Sequence, residues 1–97
     1  MVRITIVLMS SGGIRNKNAK APAKNLVGSR IRLARQTFSG CLTQDQLSGR
    51  LAAQNILIDR PAITKIELGL RHVYDFELVA FAAVLRVDVR WLLGIEP

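Results

Sequence analysis

Residues 42–69 read LTQDQLSGRLAAQNILIDRPAITKIELG, and local chemistry alone writes two short helices and a turn into that stretch. Thr43 opens the first helix: its hydroxyl is placed to cap the third amide while Gln46 reaches back to the amide of the cap residue. Leu42 before the cap and Leu47 at the fourth helical position form a hydrophobic staple, and Leu51 continues that apolar face one turn on. Gln44, Gln46 and Arg50 occupy the opposite, wet face. The second helix opens at Asp59-Arg60-Pro61, because the amide that proline lacks has no helical partner in a first turn. Its cap is either Asp59 or Arg60, since a residue before proline avoids α geometry. Ile63 and Ile66 point inward, with Leu70 following at i+7, while Pro61, Thr64, Lys65 and Leu68 share the outer face. Gly69 supplies the left-handed residue that ends the helix without steric cost.

Outward from this pair, apolar spacing predicts three further helices. One runs from residue 25 or 26 to 36, with Leu26, Ile31, Ala34 and Phe38 toward the core and Arg30 and Arg32 outward. Another covers residues 74–85, with Leu78, Phe81, Ala82 and Leu85 inward. On its other side Phe76, Ala80 and Ala83 recur at i, i+4 and i+7, an apolar stripe that either faces outward or is covered by the N-terminal arm or a neighbouring helix. Asp88 caps a short last helix over residues 89–93, which Gly94 closes. The fold class is therefore all-α, five short helices forming one domain over residues 25–97. A chain of 97 residues, nearly half of them apolar, supports one such core and not two.

Residues 1–24 read differently. MVRITIVLM at the start is β-branched and alternating, yet no other segment offers it a partner strand. SSGGIRNKNAKAPAK, residues 10–24, has the Gly, Ser, Asn, Pro and Lys composition of a flexible linker. The charge follows the same division: residues 1–35 carry eight basic and no acidic side chains, and residues 36–97 carry six basic and seven acidic. The net charge of +7 thus sits at the N-terminal end, a flexible basic arm suited to a polyanion, either nucleic acid or an anionic membrane surface. Either the arm lies along phosphates, or it solubilises the chain and touches nothing specific.

Several classes are disfavoured. The single cysteine, Cys41, leaves no internal disulfide or multi-cysteine metal site, and a reducing cytoplasm is its simplest home. With His72 as the lone histidine, no histidine constellation for zinc or acid-base catalysis can be assembled, so neither enzyme activity nor a cofactor is expected. No apolar run approaches the roughly 20 residues a bilayer requires.

The segments LTQDQLSGRL, ITKIELGLR and LVAFAAVLRVDVRWLLG together resemble the phage-repressor-like (Xre/Cro-type) helix-turn-helix regulators, over roughly residues 25–94. The turn over residues 52–58 is longer than the family's usual one and matches a subset with a lengthened turn. What the resemblance implies is a five-helix repressor-like domain whose second motif helix, about residues 60–68, enters a major groove of double-stranded DNA. The family's base-reading positions fall on Arg60, Pro61, Thr64 and Lys65. Its phosphate-gripping position falls on Gln44, with Arg71, just past Gly69, a second phosphate candidate. The family's ion pair between its first helix and the IExG glutamate falls on Arg35 and Glu67. A homodimer on a two-fold site follows from the same likeness.

The expectation is a sequence-specific DNA-binding transcriptional regulator. The alternative is an antitoxin-like or adaptor module that holds a protein partner through Phe76, Ala80 and Ala83. Salt-dependent binding to duplex DNA separates the first from the second.

Overall fold

The computed structural model describes residues 22–95, and the expectations for residues 1–21, including the strand-like start and most of the basic arm, lie outside them. Five helices and no strand are found among the described residues: α1 (Gly28–Thr37), α2 (Gln44–Ala52), α3 (Arg60–Glu67), α4 (Asp75–Leu85) and α5 (Val89–Leu92). None is long and apolar enough to cross a membrane.

Local signals set most boundaries. The Thr43 hydroxyl accepts from the Gln46 amide at 3.0 Å while Gln46 Oε1 accepts from the Thr43 amide at 2.8 Å, a complete capping box. Asp59 is the cap of α3, accepting from the Ala62 amide at 3.0 Å, and Arg60 takes the first helical position although proline follows it. Such a cap contributes about 1 kcal/mol. Asp88 caps α5 through the Arg90 amide.

Around the core, α1 and α2 both pack on α3, and α4 closes the other side against α1 and α2, with α5 against α1 and α4. Ile31, Leu47, Leu51, Ile63, Ile66, Phe81 and Leu92 are completely enclosed. Burying an Ile or Leu side chain is worth about 1.5–3 kcal/mol, so Ile63 and Ile66 on the inner face of α3 help to hold that helix in place.

Four expectations are corrected. Helix α1 begins at Gly28, not at residue 25 or 26, so Val27 enters the core and Leu26 stays 77% exposed. Leu70 is exposed because the chain turns at Gly69 (φ +78°), and the helical spacing that placed Leu70 inward stops there. Ala80 is buried: at 100° per residue it lies about 40° round from Phe76, toward Glu77 and Phe81. The exposed stripe of α4 is instead Phe76, Val79 and Ala83, with the Tyr74 ring stacked on Phe76 at 5.5 Å. Arg30 is not directed to water; its guanidinium lies over the Trp91 ring and donates to the Trp91 carbonyl.

The long turn between α2 and α3 is pinned to the domain. Asn55 adopts a left-handed conformation (φ 64°), the Ile56 amide returns to the Leu51 carbonyl, and Ser48 Oγ donates to the Ile58 carbonyl at 2.7 Å. Ile58 is buried by this arrangement, so the extra length leaves α3 packed on α2.

Candidate nucleic-acid interface

Helix α3 turns one face to the core and the other to solvent. Arg60, Pro61, Lys65 and Leu68 are exposed on it, and Thr64 is half-buried at the boundary with α2. Arg60 Nη1 lies 3.4 Å from Asp45 Oδ2, with both side chains largely exposed. An ion pair of that kind is worth about 0–1 kcal/mol and gives way readily to a competing anion. Lys65 has no carboxylate within ion-pair distance among the described residues.

Behind this face runs a polar network that joins three helices. Arg35 of α1 donates to both oxygens of Glu67, at 2.7 and 2.9 Å, and to the Leu42 carbonyl. Gln44 of α2 donates to Glu67 Oε1 at 3.1 Å. The Thr64 hydroxyl stands 3.0 Å from Gln44 Oε1 and 3.1 Å from the Arg60 carbonyl, with one proton for the two. Glu67 keeps only 4% of its side-chain surface in water, and its hydrogen bond and charge raise the Arg35 pKa above the usual value despite burial. Gln44 is therefore not on a wet face; one hydrogen of its amide nitrogen is committed inward and one remains.

Arg71 is also committed. Its two terminal nitrogens donate to Glu77 Oε1 and Oε2 at 3.0 and 3.1 Å, and one also donates to the His72 carbonyl. Glu77 is nearly buried, so taking Arg71 to a phosphate would leave a carboxylate without its partner in a desolvated place.

The far end of α3 is bound by a segment with no motif to announce it. Asn25 Nδ2 donates to the Ile66 and Arg71 carbonyls, and the Lys24 amide donates to the Gly69 carbonyl at 2.9 Å. Asn25 Oδ1 accepts the amides of Val27 and Gly28, which starts α1 directly against the end of α3. Arg32, exposed on α1, lines a small cleft with Thr64, Glu67 and Leu68. The chain showed Arg32 outward on its helix and Lys24 as one charge of the arm, and neither reading set them beside α3. Set against protein-family models, curated proteins and solved structures, the chain finds no match.

Proposed function

We propose that this chain binds double-stranded DNA as a sequence-specific transcriptional regulator, with α3 in the major groove and two copies on a two-fold site. The observation that carries the reading is the first two turns of α3. They present Arg60, Pro61 and Lys65 to solvent from a helix whose opposite face is anchored by the enclosed Ile63 and Ile66. A guanidinium or ammonium held on a rigid helix reaches guanine O6 and N7, and an exposed proline ring meets a thymine methyl. Thr64 spends its hydroxyl proton inside the protein, so its methyl is what it offers a base. Gln44 serves a phosphate with its second amide hydrogen, beside the opening turn of α2. Arg71 is left out of the contacts, because its pairing with Glu77 stabilises the domain.

A second reading, an adaptor holding a protein partner, is favoured by the stacked Tyr74 and Phe76 with Val79 beside them, all exposed on α4. The deciding experiment is repeated selection of bound sequences from a random duplex pool. Enrichment of a two-fold related sequence is the expected result. No enrichment at any salt concentration, together with tight co-purification of another protein, establishes the adaptor instead.

A further inference from the structure

The ten cations among the described residues fall into three groups. Arg35, Arg60, Arg71 and Arg90 pair with Glu67, Asp45, Glu77 and Asp88. Arg30 lies over Trp91, and Arg50 and Arg86 lie over Phe38. Lys24, Arg32 and Lys65 have neither a carboxylate nor a ring among the described residues, and all three are exposed.

These three are not scattered. Lys65 is on α3 itself, Arg32 lines the cleft against Thr64 and Leu68 of α3, and Lys24 is fixed by its backbone to Gly69 at the end of α3. Among the described residues, the exposed cations with neither a carboxylate nor a ring beside them therefore lie on α3 or where α1 and the segment before it run beside α3. Arg71, just past that helix end, is paired with Glu77 and is not among them.

We propose that Lys24 and Arg32 contact DNA phosphates, so that one strand runs along the α1 edge of α3. The inference rests on the DNA-binding reading above and adds the path of the backbone. Neither residue makes a side-chain hydrogen bond to another described residue that a phosphate would have to break, unlike Arg35 or Arg71.

The test is the salt dependence of binding to a mixed-sequence duplex, followed by fluorescence anisotropy between about 50 and 200 mM salt. Each phosphate contact removed lowers the slope of log affinity against log salt by about 0.9. Arg32→Gln and Lys24→Gln should each show that decrease, and their combination about twice as much, while Arg32→Lys retains the parent slope. Arg90→Ala removes the same unit of charge from α5 and should leave the slope unchanged. An unaltered slope in Arg32→Gln and Lys24→Gln, or an equal decrease in Arg90→Ala, overturns the proposal while leaving DNA binding intact. Failure of the parent chain to bind duplex at any salt overturns both.

Discussion

Arg35 holds Glu67 through both carboxylate oxygens, at 2.7 and 2.9 Å, and so ties α1 to the last residue of α3. The pair is largely desolvated, with 12% and 4% of the two side chains in water, and Glu67 also accepts from Gln44. Removing one partner leaves the other charged and buried, which costs about 3–5 kcal/mol. Arg35→Ala should lower the urea midpoint accordingly. Arg35→Met combined with Glu67→Leu should recover most of the loss, because neither charge is then stranded. A double variant no more stable than Arg35→Ala would show that the stabilisation comes from the wider network with Gln44 and Leu42.

Gly28 meets the Ile66 carbonyl so closely that a β-carbon there would overlap it. Backbone cannot swing aside as a flexible side chain does, so α1 would have to move off the end of α3. Gly28→Ala should destabilise the domain by about 1–3 kcal/mol, the usual cost of overpacking, although alanine is the better helix former. Gly49→Ala, in open space on α2, should be neutral or slightly stabilising. Thermal midpoints of the two variants decide the matter, and equal midpoints would sink the packing argument.

These two junctions mark where the sequence could and could not be read. The capping box at Thr43, the inward pair Ile63 and Ile66 and the stop at Gly69 are local, each written within a few residues, and they appear where local chemistry puts them. The Arg35–Glu67 pair spans the domain and was legible only through resemblance to a family. Nothing in the chain pointed to Asn25 bonding the Ile66 and Arg71 carbonyls, or Ser48 bonding that of Ile58, because any residue supplies a carbonyl. Ala80 was misplaced because a helix covered on most sides has no strong apolar side to orient it.

Glu77 sets an acid limit on stability. Burial on its own pushes this carboxyl upward, but the hydrogen bonds from Arg71 and the Tyr74 amide, with the charge of Arg71, outweigh burial and hold it below the ordinary range. A carboxylate depressed on folding contributes stability that is complete above its unfolded pKa, about 4.3, and is lost as pH falls through the lower folded value. Unfolding free energy should therefore decline as the pH drops below about 4.3. In Glu77→Gln the neutral-pH stability should be lower and the acid decline shallower. Parallel declines in the two proteins would assign the effect to other carboxylates.

Arg60 and Lys65 carry the base-reading part of the proposed function. Replacing either by Ala should weaken the selected duplex by about 1–3 kcal/mol while affecting random duplex less. For Arg60 the comparison is clean, since its exposed link to Asp45 adds little to stability. Equal losses on selected and random duplex would make both residues general electrostatic contacts and remove them from the reading of sequence.

Phe76 offers a test of the proposed two-fold assembly. It is 59% exposed on α4 beside Val79 and under the stacked Tyr74 ring, and covering such a surface gains about 25 cal/mol per Å². A second copy seated there would bring two Phe76 side chains toward one axis, because an isologous interface uses the same patch twice. Phe76→Asp should then give a folded monomer, since two carboxylates meeting in a desolvated seam repel strongly. The fold itself is not threatened: position 76 lies in the first turn of α4, where an acidic side chain is favoured. Sedimentation of the variant, with helicity checked by circular dichroism, reads the outcome directly. The same substitution in a chain beginning at residue 10 tests the α4 face without Ile4, Ile6 and Leu8, which lie outside the described residues. A dimer that persists in that shortened variant rules out the Phe76 face and moves the search to α5 near Trp91.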